Sequence, residues 1–177
     1  MKLSTKGRYA VTAMLDLVIH MDEGPVSLSD IAERQHVSLS YLEQLFAKLR
    51  RRGLVASTRG PGGGYSLNRP AAEVAVVDII LAVDENIDNT NCGGAANCQH
   101  DEKCLTHDLW QDLSNQIQAF LGGISLQELA GRRSVKQVAA RQEGKESNGN
   151  EPSVFPVTEM PSTYTNKIAG RSVEVNK

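Results

Sequence analysis

The chain of 177 residues has few of the features that a secreted, membrane-spanning or catalytic protein needs. Only 5% of residues are aromatic, so aliphatic side chains must fill the core, which suits a helical protein. No apolar run approaches the ~18 residues that would suggest a membrane span, and no signal-peptide core opens the chain. The expectation is a soluble cytoplasmic protein with no membrane partner. Three cysteines cannot all pair within one chain, which argues against a disulfide scaffold. There is no CxxC redox pair and no visible acid–base pocket, so no enzyme is expected. Basic residues are nearly missing from the middle: residues 71–130 hold one Lys against ten Asp/Glu, although the net charge of the whole chain is only −2. Residues 1–70 instead hold ten Lys/Arg against six acids, so a polyanion would meet the N-terminal part alone.

The cysteines are few but clustered. They form the pattern Cys92-x5-Cys98-x5-Cys104-x2-His107, with Gly, Ala and Asn in the first gap. Three soft sulfur ligands and an imidazole suit a metal or an iron–sulfur centre. The alternative is three free thiols in a loop with His107 at the surface. A Cys3His set also suits structural zinc, but zinc sites usually bring a ligand pair at two-to-four spacing, and here only Cys104 and His107 are close. Of the other histidines, His20 and His36 read as structural or surface residues, and His100 is the one alternative ligand.

Ser4 or Thr5 caps a first helix whose apolar positions Tyr9, Ala13 and Leu17 step by four. Lys2, Lys6 and Arg8 cluster at its start, against the helix dipole, and either face phosphate or are a solvated terminus. Ser27-x-x-Asp30 opens a short helix, and Gln35 to Ser38 form a turn. A longer helix follows, capped by Ser38 or Ser40 and ended by Gly53. Leu42, Leu45, Phe46 and Leu49 would face the core, leaving Ser40, Tyr41, Glu43, Gln44 and Lys48 outward. Short helix, turn and longer helix with an exposed polar start is the layout of a helix-turn-helix, although many helical hairpins also have polar outer faces.

The following segment favours DNA. Leu54–Ser57 and Tyr65–Leu67 read as paired strands around the tip TRGPGGG, making a winged helix. Ser38, Ser40, Tyr41, Glu43 and Gln44 are the candidate base-reading residues, and Arg59 on the wing suits the minor groove. Lys48, Arg50 and Arg51 suit phosphates. The glycine run is not a nucleotide loop, because it lacks the Lys-Ser/Thr ending and precedes a strand. Beyond it, VVDIILAVDE reads as a helix sealing the domain. LTHDLWQDLSNQIQAFL reads as a long helix with Cys104 at its N-terminus and His107 on the same face. Its ridge of Leu109, Leu113, Ile117 and Phe120 or Leu121 pairs with a second copy of the chain, or else packs within it. Ser125-x-x-Glu128 caps a last short helix.

The opening MKLSTKGRYA, the SLSYLEQLFAKLRRRGLV helix, the RGPGGGY wing and the Cys92, Cys98, Cys104 and His107 set together resemble the IscR family of iron–sulfur cluster regulators, over about residues 1–130. The resemblance implies a homodimeric winged-helix transcription factor that binds double-stranded DNA and holds a [2Fe–2S] cluster on those four residues. It also implies control of iron–sulfur assembly genes, including repression of its own operon, with the assembly machinery as cluster donor. Related nitric oxide sensors use an acidic fourth ligand near the N-terminus, whereas here position 8 is Arg8 and His107 is present. The expected fold is mainly α: a winged helix-turn-helix with a small two-stranded wing and a long dimerisation helix. In domains, residues 1–86 bind DNA, 87–107 form the cluster loop, 104–130 the dimerisation helix and a short C-terminal helix, and 131–177 a disordered tail.

Overall fold

The computed structural model describes residues 4–144. Helix α1 (Thr5–His20) starts where the Ser4 hydroxyl accepts the Lys6 N–H, one of the N–H groups that a helix start leaves unpaired. It is the central post of the domain: Ala10, Ala13, Met14 and Leu17 are all but fully buried. Helix α2 (Leu28–Gln35) is capped by Ser27, whose hydroxyl accepts the Asp30 N–H, and stops at His36 in the left-handed conformation. Helix α3 (Leu39–Arg51) has Ser38 as its N-cap by position, although that hydroxyl makes no capping bond, and Ser40 is the second residue of the helix. Leu42, Leu45, Phe46 and Leu49 are buried, as their spacing predicts.

Strands β1 (Val55–Thr58) and β2 (Gly64–Leu67) pair antiparallel from Val55–Leu67 to Thr58–Gly64, one residue further out than the sequence suggests at the tip. Val26 adds a third, single-residue rung by exchanging two backbone hydrogen bonds with Tyr65. That rung needs Gly64, because a Cβ there would sit 2.4 Å from the Val26 carbonyl oxygen. Phe46 meets the Tyr65 ring edge-on at 4.9 Å, joining α3 to the wing. These elements make the winged helix-turn-helix expected from the sequence.

Helix α4 (Val76–Ala82) buries Ile79 and Ile80 and packs along α1. The chain then crosses a long loop to α5 (His107–Gly122) and α6 (Leu126–Gly131). Helix α6 is stitched back to the start of α4 by Leu126 N–H to Val74 O and Val76 N–H to Ile124 O, both 2.9 Å. Fully buried Leu126 belongs to the same core as Leu17 and Leu49.

The expected disorder from residue 131 does not hold over α7 (Arg133–Gln142). Val135 and Ala139, four apart, turn toward α1, and Gln142 bonds to Gln35 and to the Arg34 carbonyl oxygen. A two-residue apolar stripe is too narrow to stand out in a polar segment. Residues 145–177 of the expected tail lie outside the described residues.

One buried charge ties α1 to α2. The Asp16 carboxylate, fully shielded from solvent, receives Arg34 Nη2 at 2.7 Å, Arg34 Nε at 3.1 Å and Gln35 Nε2 at 2.6 Å. Removing the cation would strand a buried anion. Arg34→Ala is therefore expected to destabilise the fold by about 3 kcal/mol in urea unfolding, more than any exposed arginine.

Candidate metal centre and nucleic-acid interface

The cysteine loop has almost no apolar side chains to bury, so polar bonds and backbone turns shape it. Gly93, Gly94, Ala96, His100 and Asp101 all take positive φ, which coils the chain tightly. Gln99 and Glu102 close a small hairpin by exchanging backbone hydrogen bonds of 3.0 and 2.9 Å. At the loop's entrance, Asp88 accepts the Thr90 N–H at 2.7 Å and the Thr90 hydroxyl accepts the Gly94 N–H at 2.7 Å. The Ser114 hydroxyl, buried on α5, accepts the Asn89 N–H and donates to the Trp110 carbonyl, both at 2.8 Å. Ser114 is thus the anchor of the loop on α5, and nothing in its sequence context marks it out.

These turns bring Cys92, Cys98 and His107 together. His107 is buried as the first residue of α5, with Nδ1 3.4 Å from Cys92 Sγ and 3.5 Å from Cys98 Sγ. One ligand atom from each of the three lies within 4.8 Å of the others. Cys104 stands differently from its expected place. Helix α5 begins at His107 with Thr106 as N-cap, so Cys104 precedes the helix and the shared face predicted for Cys104 and His107 is lost. Its N–H donates to Cys98 Sγ at 3.2 Å, while its own Sγ lies 3.8 Å from Thr106 Oγ1. Cys104 therefore borders the group of three, on the Cys98 side. His100 is exposed at the hairpin, outside the group.

The thiols are not equivalent. Burial works against ionisation of Cys92, but hydrogen bonds from the Thr90 hydroxyl and from the Ala96 and Gly94 N–H groups, with Cys98 beside it, prevail and bring it from 9.0 down to about 6. Cys98 moves up: the Cys104 N–H favours its thiolate, but burial and two neighbouring thiols outweigh that bond. Cys104 moves down, chiefly through its hydrogen bond with Cys98. A thiolate at neutral pH beside an imidazole and two further sulfurs is a donor set suited to a soft metal centre.

The residues expected to face DNA fall into two groups. Ser38, Ser40, Glu43, Gln44 and Arg51 are exposed on α3 and Arg59 is exposed at the wing tip, as predicted, and Arg8 is exposed on α1. Tyr41 and Lys48 are only half exposed. Tyr41 packs edge-on against Tyr9 at 6.1 Å. Lys48 Nζ lies 3.0 Å from Asp84 Oδ2. Arg50 donates to the Ser57 hydroxyl at 3.3 Å. Lys6 Nζ donates to the Asp84 carbonyl at 2.8 Å and sits 3.8 Å from Glu85. Lys2 lies outside the described residues. Asp84 and Glu85 escape a sequence reading that treats this stretch as an apolar helix.

Among the described residues no helix is long and apolar enough to cross a membrane. Comparison with known proteins agrees with the geometry. The chain is 58% identical over 143 residues to the HTH-type transcriptional regulator IscR of Photorhabdus laumondii, covering 81% of this chain and 87% of that protein. Among solved structures it is similar to IscR of T. potens, at 37% identity with a TM-score of 0.61, covering 84% of this chain and 94% of that one. It is also similar to CymR, the global cysteine regulator of B. subtilis, at 36% identity with a TM-score of 0.64, covering 73% and 96%. Residues 3–132 match the sequence model of the Rrf2 family, described as iron-dependent transcriptional regulators. A winged helix with an exposed recognition face, joined to a cysteine–histidine group and supported by these likenesses, places the chain in the Rrf2 family of DNA-binding transcription regulators.

Proposed function

We propose that this regulator carries a [2Fe–2S] cluster on Cys92, Cys98, Cys104 and His107, and that the cluster state sets which DNA sites it occupies. The observation that supports this most directly is the turning of His107 Nδ1 toward two thiols at the start of α5. Cys104, held against Cys98 through its N–H, is the third sulfur within reach of the same loop. Its genes would be those of iron–sulfur assembly, its own operon included, with the assembly machinery as cluster donor; the relatives named IscR support that choice. When bound, the cluster supplies a redox-active link between the loop and the first turn of α5. Imidazole in place of a fourth thiolate lowers the negative charge, raises the potential and leaves a ligand that a proton can displace. That suits a site that loses and regains its cluster more readily than an all-cysteine one.

The chain's own residues do the rest. Ser114 and Thr90 hold the loop ends, and Cys92 offers a thiolate at neutral pH. On α3, Glu43 projects into solvent between Ser40 and Gln44, where a carboxylate accepts from a cytosine amine and is repelled by the acceptor edge of guanine and by phosphates. Helix α5 exposes Leu109, Leu113 and Phe120 along one face, with Phe120 69% accessible. Such a face is costly in water and supports a homodimer built by pairing α5 with its copy.

Protein purified without oxygen should contain iron and acid-labile sulfide in equal amounts and absorb visible light, and Cys104→Ser should abolish both. A colourless protein with one zinc per chain would decide for a zinc-stabilised module. Glu43→Ala is expected to narrow the difference in affinity between two classes of DNA site by roughly tenfold, about the value of one base contact; unchanged relative affinities would count against it. Leu113→Asp should convert a sedimenting dimer to monomer without loss of helical content.

A further inference from the structure

Two of the residues expected to touch phosphate are engaged elsewhere. The turn after α4 carries Asp84 and Glu85, and it meets both the recognition helix and the start of α1. Lys48 Nζ is 3.0 Å from one Asp84 carboxylate oxygen, and Arg52 Nη2 is 3.9 Å from the other. On the opposite side Lys6 bonds to the Asp84 carbonyl, and Glu85 takes the Ser4 N–H and hydroxyl. The approach is close because residue 7 is glycine: a Cβ there would lie 3.3 Å from Glu85 Cγ. Asp84 itself has φ +57, a conformation costly for most residues and tolerated by Asp and Asn. The turn is therefore held in one specific form.

We propose that Asp84 and Glu85 act as internal substitutes for DNA phosphate, holding Lys48 and Lys6 off the duplex. The carboxylates offer the lysines what a phosphate offers, two oxygens and a negative charge. Lys48 lies on the same flank of α3 as Tyr41, two turns further along the helix. More than half of the Asp84 side chain is exposed, so the pair is accessible to solvent and screened by salt. Arg8, Arg51 and Arg59 have no such acid beside them among the described residues and are free to bind first. The same turn leads through Ile87 and Asn89 into Cys92, so the loop that carries the cysteines begins at the acids that restrain the lysines. The proposal rests on the cluster reading only for what would move that turn.

The test measures affinity for duplex DNA of random sequence as a function of salt, using the full chain freed of metal by a chelator. Each added phosphate contact steepens the plot of log K against log salt by about 0.9, or roughly eightfold in affinity near 0.1 M salt. Asp84→Asn, which keeps the backbone conformation, is expected to tighten binding by up to that factor and steepen the slope by about 1 per protomer. The gain should vanish when Lys48→Gln is added. Lys48→Gln alone should leave the slope nearly unchanged, because its ammonium is already occupied. An unchanged slope in Asp84→Asn, a gain that survives Lys48→Gln, or a slope that falls by about 1 with Lys48→Gln alone would each overturn the proposal. Failure of the cluster reading would appear separately, as absent iron and sulfide, and would leave these slopes untouched.

Discussion

A loop with almost no apolar side chains cannot fold itself, and the rest of the architecture answers that constraint. The cysteine loop hangs between two posts. Helix α4 is embedded in the winged-helix core through Ile79. Helix α5 is followed by α6, whose Leu126 enters the same core and whose backbone is stitched to the start of α4. The polar bonds of Ser114, Thr90 and Asp88 then define a path between fixed ends rather than creating one. Helix α5 also packs on α4 directly, with Ile117 and Leu121 against the cluster of Val76, Ile80 and Ile87.

That arrangement also ties the cysteine–histidine group, through the chain on either side of it, to the winged-helix domain. The chain runs from the acids beside Lys48 and Lys6 directly into the loop, and from the loop into the helix that presents Leu109, Leu113 and Phe120. Both ends of the loop are therefore tied to other elements. One end lies against α3; the other begins the apolar face that suits a second subunit. Charge segregation has a structural meaning here: the acidic middle of the chain neutralises selected lysines of the basic domain and leaves Arg8, Arg51 and Arg59 exposed.

The α3 core face was legible because four buried residues repeat at the helical period, and the wing was legible because only a glycine-rich tip fits between two short strands. The cysteine group was legible as chemistry, since soft ligands clustered in a short loop have few other uses. Its geometry was not: a spacing of three predicts a shared helix face only where a helix exists, and Thr106 starts α5 after Cys104. Helix α7 was hidden because Val135 and Ala139 are a signal of two residues in a polar background.

Local pattern by itself determined α1 to α6 and the two strands, the polar outer face of α3 and the types of the candidate ligands, because each depends on periodicity or residue chemistry within a short stretch. Only the tertiary structure decided which partners those residues take. Asp16 meets Arg34, Ser114 meets Asn89 and Asp84 meets Lys48 across separations of 18, 25 and 36 residues, where no local period connects them. Such pairings follow from how helices pack around a common core, and packing is a property of the whole chain.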